Sequence, residues 1–211
     1  MEDVMALMDY MEASGLVARY GIHATRGAYV NSAEEAVGFA GKKAVALKVI
    51  SEEAMHKTKS GMILLGLSGT EQITEGYQTL SEKAKRLGNY KMLVQEMAGS
   101  GIEIIIGGKI DQQFGKLILL GLGGIYVETF RDFATRVCPI TERDARQMLY
   151  QLRSRAVIAP DEKTERVVTG LLMKASKLFY ENDISELDLN PLIIYEGNYE
   201  AVDIRVLEDK K

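Results

Sequence analysis

The closing segment, residues 186–205, constrains the fold more than any other part of the sequence. Polar residues alternate there with leucines, and successive side chains of a β-strand point to opposite faces, so Asp188 and Asn190 share one face. The dipeptide Glu196-Gly197 then interrupts the alternation as a turn. If the turn has two residues, Asp203 on the returning strand lies opposite Asn190. The sequence therefore predicts an antiparallel hairpin with one polar face.

That polar face is a candidate metal site. Mg²⁺ binds oxygen ligands in an octahedron, keeps several waters and is commonly completed by substrate phosphates, so it needs few protein ligands. The amide oxygen of Asn190 and the carboxylate of Asp203 suit it. The alternative interpretation is an ordinary hairpin with a solvent-facing polar side. Pro191 within the strand requires an edge or a β-bulge, and bulges often lie beside sites.

The remaining pattern predicts an α+β fold in two lobes, because runs of strands are separated by helices. We divide the chain into an N-terminal helix at residues 1–20, an N-terminal lobe at 21–89 and a C-terminal lobe at 90–211. The first helix is expected from Val4 to Tyr20. Three strands, at 90–97, 102–110 and 116–120, are expected to form an antiparallel meander. Helices are expected at 32–41, 70–87, 141–152 and 161–181, with Ser32 and Thr141 as N-caps.

Composition excludes several classes of function. The chain has 211 residues and a net charge of -4, without the basic stripe expected of a nucleic-acid-binding protein. The one cysteine, Cys138, cannot form a disulfide within the chain and indicates a reducing, cytoplasmic setting. No apolar run approaches the ~20 residues of a membrane span. We therefore expect neither nucleic acid nor a membrane as a partner.

Two basic features indicate phosphate chemistry. Lys48 interrupts an apolar strand, where an unpaired charge would be costly, so its ammonium should reach an anion such as phosphate or else extend to water. His56 lies between lysines in the following loop and is a candidate phosphoryl acceptor, since imidazole is nucleophilic near neutral pH. The alternative for His56 is a solvated loop histidine.

Polar groups near the predicted lobe boundary are candidates for nucleoside binding. Gln95, Glu96 and Met97 end a strand, and Glu103 follows on the next one. Acceptors at such a hinge can meet an adenine amine or ribose hydroxyls, although exposed strand ends are the alternative. The glycine-rich segment 121–124 matches neither the dinucleotide fingerprint nor the P-loop, so a plain turn is the simpler interpretation.

Taken together, ten segments resemble the ATP-grasp domain of ADP-forming acyl-CoA synthetases, as in the β subunit of archaeal-type acetate–CoA ligase. The resemblance extends from about Leu16 to Arg205, and its specificity comes from the order and spacing of the segments. They read ARYGI, SAEEAV, VALKVIS, MHK, LVQEM, EIIIGGKIDQQFG, GLGGIYVE, RVCPIT, ELDLNPL and VDIR.

The resemblance implies two lobes with a nucleotide cleft between them, and roles for particular residues. Lys48 would bind the phosphates of ATP or ADP, while the hinge residues Gln95 and Glu96, together with Met97, and the acid Glu103 would contact the nucleoside. The Mg²⁺ ligands would be Asn190 and Asp203. His56 matches a position proposed to carry phosphate between the partner subunit and the nucleotide.

The implied reaction is acyl-CoA + ADP + phosphate ⇌ carboxylate + ATP + CoA. A partner α subunit would carry the CoA-binding and acyl-transfer domains, giving a hetero-oligomer. An acyl phosphate would form there, a histidine would take its phosphoryl group, and this chain would pass it to ADP.

Several positions depart from the family pattern. Lys59 stands where the family usually has an acid. Met62 replaces a glycine, Ile102 replaces an arginine and Lys116 replaces a proline. The segment 154–158 is shortened. Two alternatives therefore remain open: a diverged regulatory or structural subunit that binds nucleotide without turnover, and another ATP-grasp carboxylate ligase.

Overall fold

The computed structural model describes residues 4–51, 61–124 and 132–210, which form two compact units. Unit 1 combines the chain up to Ala24 with the chain from Gly99 onward, and unit 2 is Thr25–Ala98. Each unit contains one antiparallel sheet with helices, in agreement with the predicted α+β class.

Unit 2 is a four-stranded sheet covered on one face by two helices. Its elements are β2 (Gly27–Val30), α2 (Ala33–Ala40), β3 (Val45–Ile50), β4 (Ile63–Leu67), α3 (Gly69–Ala84) and β5 (Lys91–Glu96). The strand order is β2-β5-β3-β4. Alternate residues of the central strands, such as Leu47 and Val94, pack with Ala36, Ile73 and Leu80 of the helices in one buried core. Lys48 lies between two core residues, Leu47 and Val49, and therefore points to the opposite face of the sheet.

Unit 1 is built on a seven-stranded sheet. Its strands are β1 (Val4–Leu7), β6 (Ile102–Asp111), β7 (Gly115–Leu122), β8 (Phe133–Val137), β9 (Ile184–Tyr195), β10 (Asn198–Ala201) and β11 (Ile204–Lys210). The order is β1-β11-β9-β6-β7-β8, and β10 also pairs with β9. The long strand β9 is therefore central and carries the hairpin expected from the sequence.

The helices of unit 1 are α1 (Tyr10–Arg19), α4 (Glu142–Gln151), α5 (Arg155–Ile158) and α6 (Glu162–Glu181). Apart from α5, each begins at a residue whose side chain caps the first turn. Thr141 and Asp144 form a capping box at α4, and the Asp161 carboxylate accepts a hydrogen bond from the backbone N–H of Thr164 at the start of α6. Buried residues of α6 recur at helical spacing and face the core: Val168, Leu171, Leu172, Ala175 and Phe179.

The first twenty residues differ from the prediction of a single helix. Val4–Leu7 is a strand that pairs antiparallel with β11, and the helix begins only at Tyr10, with Asp9 as its N-cap. The pattern of apolar residues near the N-terminus is too short to separate strand from helix. Pairing with a strand some two hundred residues later in the chain decides the matter.

The division between the units also falls differently from the boundary placed at residues 89 and 90. Strand β5 was expected to start a meander in the C-terminal lobe, but it is central in the sheet of unit 2, where it pairs with β2 and β3. Met92 and Val94 are buried in that core. The meander is instead β6, β7 and β8. Adjacency in sequence suggested the wrong pairing because consecutive strands are only usually, not always, neighbours.

No helix in the described ranges has both the length and the apolar character that crossing a bilayer requires.

Candidate functional site

The hairpin register agrees with the prediction from the two-residue turn. Asn198 pairs with Tyr195, and Glu196 and Gly197 both have positive φ, 47° and 69°. Positive φ at both central residues is the feature of the turns that connect two adjacent strands most tightly. The turn therefore fixes which residues of β9 lie opposite β10 and β11.

This register brings Asn190 and Asp203 side by side. The backbone N–H of Asn190 donates to the carbonyl oxygen of Asp203 at 3.2 Å. On the other side of β9, Leu189 pairs with Ile106 and Leu192 with Ile104, so Asn190 and Pro191 together oppose a single residue. This is the β-bulge that the proline required.

The two side chains are placed on a face that a ligand can reach. Leu189, Leu192, Ile204 and Val206 point to the other face and are buried. Asn190 and Asp203 are both partly exposed, and within residues 4–51, 61–124 and 132–210 neither side chain has a hydrogen-bond or ionic partner. An amide oxygen and a carboxylate in this arrangement fit Mg²⁺, which needs few protein ligands and prefers oxygen. In the same described ranges, no group of three or more His, Cys, Asp or Glu residues forms a metal cluster.

Glu103 lies on the same sheet, beside the glycine-rich segment. Its carbonyl oxygen accepts from the backbone N–H of Gly123 at 2.7 Å. A Cβ atom at Gly123 would stand 2.9 Å from the carbonyl carbon of Glu103, and one at Gly124 would stand 2.8 Å from its Oε2. The glycines therefore permit this segment to approach Glu103 closely, a role that the sequence motif alone did not indicate. Glu103 itself is exposed, and together with Ile102, Leu122 and Val157 it lines a shallow depression.

Lys48 and Gln95 lie on one face of the unit 2 sheet. Lys48 pairs with Leu93, and Gln95 pairs with Ala46, so all four side chains share the face opposite the helices. Lys48 is only 6% exposed and Gln95 is fully buried. Burial disfavours the interpretation of Lys48 as a lysine extended into water, and phosphate binding by Lys48 stays a prediction.

Glu96 has a different environment from the one expected for a nucleoside acceptor. Its carboxylate pairs with Arg26 Nη1 at 2.9 Å and with Lys43 Nζ at 2.8 Å. Hydrogen bonds from Lys43 and from Arg26 hold the pKa of Glu96 below its ordinary value. The carboxylate thus anchors the end of β5. This role could not be predicted from the sequence because both cations lie far away along the chain.

Met97 continues from that anchored end. Its backbone N–H donates to the carbonyl oxygen of Ala44 at 3.3 Å, and its side chain is 41% exposed. This hydrogen bond holds the backbone of Met97, the predicted hinge residue, beside Ala44.

His56 and Lys59 lie outside the described residues. Met62, the nearest departure from the family pattern that the structure describes, precedes β4, and its carbonyl oxygen accepts from the backbone N–H of Val49 at 3.0 Å.

The predicted site residues thus form two groups. Glu103, Asn190 and Asp203 belong to the sheet of unit 1, whereas Lys48 and Gln95 share a sheet face in unit 2. Sequence reasoning missed Arg205, which pairs with Asp188 on β9 and lies on the same face as Asp203. The alternation that selected Asp203 would also have selected Arg205, two residues later.

The two sheets, the amide–carboxylate pair and the buried strand lysine are features expected of a nucleotide-binding class of protein. The chain belongs to the ATP-grasp family, because the model of the ATP-grasp domain matches residues 2–207. The resemblance inferred from the sequence segments is thereby confirmed.

Particular relatives narrow this class. The chain is 31% identical to the β subunit of ADP-forming acetate–CoA ligase I of Pyrococcus furiosus, covering 93% of this chain and 89% of that one. It is 33% identical to ADP-forming acetate–CoA ligase I of Archaeoglobus fulgidus, covering 93% of this chain but 29% of that protein. Relatives of this domain therefore include a separate β subunit and part of a longer chain.

Two solved structures are similar to this chain in both sequence and fold. Acetyl-coenzyme A synthetase 1 of Candidatus Korarchaeum cryptofilum, in complex with coenzyme A and Ca-AMPCP, is 34% identical with a TM-score of 0.86, covering 97% of this chain and 93% of that one. Another structure of that enzyme, 32% identical with a TM-score of 0.81, contains coenzyme A and Mg-AMPPCP, with a phosphohistidine segment pointing towards the nucleotide binding site; the match covers 96% of this chain and 92% of that one.

Proposed function

We propose that this chain is the nucleotide-binding β-type subunit of an ADP-forming acyl-CoA synthetase. The observation that carries the proposal is the pairing of Asn190 with Asp203 on the accessible face of the unit 1 sheet. The match to an acetate–CoA ligase β subunit over nine-tenths of both chains supports the reaction class.

Each predicted residue has a role in this proposal. Asn190 and Asp203 would hold Mg²⁺, which when bound neutralises phosphate charge. Lys48 would bind a phosphate with its compact ammonium, and Glu103 would accept hydrogen bonds from ribose hydroxyls. Gln95 would contact the nucleoside, as the family resemblance implies. Because the Glu96 carboxylate is engaged by two cations, Glu96 and Met97 would contribute through their backbones.

The proposed reaction is acyl-CoA + ADP + phosphate ⇌ carboxylate + ATP + CoA. The phosphoryl group would reach ADP from a histidine of an α subunit, which would also supply the CoA and acyl sites, and His56 would serve the transfer. The phosphohistidine segment of the Korarchaeum enzyme and the longer Archaeoglobus chain support a partner of this kind. We place the complex in the cytoplasm, where the single Cys138 would stay reduced.

Calorimetric titration of Mg-ATP into the purified chain tests the proposal. The Asn190→Ala/Asp203→Ala double variant should bind at least about tenfold more weakly, because two oxygen ligands are lost. A Glu142→Ala/Gln147→Ala variant removes the same two kinds of group from exposed positions of α4 and should bind like the wild type. Equal affinity for all three proteins would refute the metal-ligand assignment.

One observation favours a second candidate, a subunit that binds nucleotide without turnover. Ile102, where the family pattern has an arginine, is 36% exposed and lines the depression beside Glu103. Loss of a cation there would affect phosphoryl transfer more than binding. Reconstitution with an α subunit distinguishes the two: ATP formation from acyl-CoA, ADP and phosphate supports the enzyme, and binding without ATP formation supports the regulatory subunit.

A further inference from the structure

The accessible face of the unit 1 sheet carries polar groups in a fixed order along β9. Glu103 pairs with Ile193, the bulge brings Asn190 beside Asp203, and Asp188 pairs with Arg205. From Ile193 toward the N-terminal end of β9, the proposed nucleoside acceptor Glu103 comes first. The proposed metal ligands Asn190 and Asp203 come second. Arg205 comes third, about 7 Å beyond the metal ligands, because two residues of a strand span that distance.

Arg205 is a half-buried arginine with one unsatisfied hydrogen-bond donor. Its Nε atom is buried and has no hydrogen-bond partner. Its direct neighbour across the strands is Asp188. A buried guanidinium N–H without an acceptor is costly, and the guanidinium carries further N–H donors that a ligand with acceptor oxygens can meet.

The surface next to this arginine is open. On the other side of Asp188, β6 presents Gly107, which pairs with it directly. A Cβ atom at Gly107 would find its nearest neighbour, the Leu187 carbonyl oxygen, at 3.7 Å, so that neither a side chain nor a close contact fills the space. A group bound over the Asp188–Arg205 pair would therefore meet no steric obstacle at this strand.

We propose that Arg205 binds the terminal, transferable phosphate of the nucleotide. The inference rests on the proposed function, since it needs a nucleotide whose metal is held by Asn190 and Asp203. Mg²⁺ held by Asn190 and Asp203 would neutralise phosphate charge. A phosphate chain that follows the order of groups along β9, away from the nucleoside end, would reach Arg205, whose planar fork of N–H donors matches phosphate oxygens.

The test compares two nucleotides that differ in that phosphate. Calorimetry with Mg²⁺ measures the affinities for ADP and for the β,γ-methylene analogue of ATP, which is not hydrolysed. In Arg205→Gln the analogue should bind about tenfold more weakly or worse, as expected for loss of a charged hydrogen bond, whereas ADP should change much less. Arg205→Lys should recover part of the lost preference for the analogue, since it restores the charge but not the fork.

Arg146→Gln is the matched control, because it removes an equal charge from an exposed ion pair on α4. It should leave both affinities unchanged. Circular dichroism and the melting temperature establish that the Arg205 variants are folded. Equal weakening of both nucleotides would indicate a structural role for Arg205 and overturn the inference, as would unchanged binding of both. If the wild type bound neither nucleotide, the proposed function itself would fall, and the assignment of Arg205 with it.

Discussion

At the scale of single residues, two ion pairs determine the environment of Glu96. Glu96 was expected to accept hydrogen bonds from a nucleoside, but Arg26 and Lys43 occupy its carboxylate. Arg26 also stacks over the Phe39 ring, 4.6 Å from its centroid, and so is held from two sides. The carboxylate ties together the start of β2, the entry to β3 and the end of β5. The two ion pairs thereby hold the end of β5, from which the backbone leads to Met97.

This clamp predicts a pH-dependent contribution to stability. The pKa of Glu96 is lowered in the folded chain from its ordinary 4.5, so its stabilising effect is complete above that value and is lost as the pH falls through the lowered folded value. Glu96→Gln should reduce the free energy of unfolding by about 0.5–1 kcal/mol near neutral pH, a modest amount because both cations are largely exposed to solvent.

Urea denaturation at several pH values measures the effect. The difference between wild type and Glu96→Gln should be constant above about pH 6 and shrink below the ordinary pKa. Glu71→Gln, which alters an exposed acid of α3 in the same unit, should show no such trend. A difference that persisted unchanged in acid would contradict the clamp.

At the scale of elements, helix α6 shows how a departure from the family pattern is accommodated. Lys116, where the family has a proline, lies on β7 and sends its ammonium to the C-terminal end of α6. There it donates hydrogen bonds to the carbonyl oxygens of Phe179 at 2.8 Å and of Asn182 at 2.5 Å. A cation at this end satisfies carbonyls that have no partner within the helix and complements the helix dipole.

Lys116→Met should therefore destabilise the chain by about 1–2 kcal/mol, through loss of charged hydrogen bonds at a half-buried position. The measurement is the midpoint of urea unfolding, monitored by circular dichroism at a wavelength that reports helix. Lys177→Met, which removes an exposed lysine of the same helix whose pairing with Glu181 is only 3.9 Å, should cost less than about 0.5 kcal/mol. Similar losses for the two variants would show that the capping contacts contribute little.

At the scale of the whole molecule, the proposed binding residues come from both units. Lys48 and Gln95 belong to unit 2, and Asn190, Asp203 and Arg205 belong to unit 1. A ligand bound by residues of a unit stabilises that unit against opening, because binding to the folded form shifts every unfolding equilibrium that destroys the binding residues' arrangement.

Hydrogen exchange with and without Mg-ATP tests this expectation. At a nucleotide concentration of 100 times Kd, binding adds about 2.7 kcal/mol to the free energy of the opening that disrupts the site. Amides of β3 and β5 should then exchange more slowly, as should those of β9 and β11. In the Asn190→Ala/Asp203→Ala variant the slowing should be reduced in all four strands. Protection confined to β9 and β11 would show that Lys48 and Gln95 take no part in binding.

What the sequence could predict follows the range of the interactions involved. The hairpin register depended on a two-residue turn and on alternation within one segment, and the caps at Ser32 and Thr141 depended on neighbours a few residues away. Such local chemistry is readable along the chain. The family could be inferred because its segments keep their order and spacing. Its two metal-ligand positions coincide with Asn190 and Asp203, whose pairing the hairpin register had already predicted.

The tertiary structure alone decided the features that depend on distant partners. Val4–Leu7 is a strand because β11 supplies the hydrogen bonds, and β5 lies in the sheet of unit 2 because β2 and β3 flank it. The burial of Lys48, the two cations on Glu96 and the buried, unpartnered Nε of Arg205 likewise depend on which segments of the chain come together. Pairing between residues far apart in sequence leaves no local pattern, since the energy comes from contacts that only the folded chain creates.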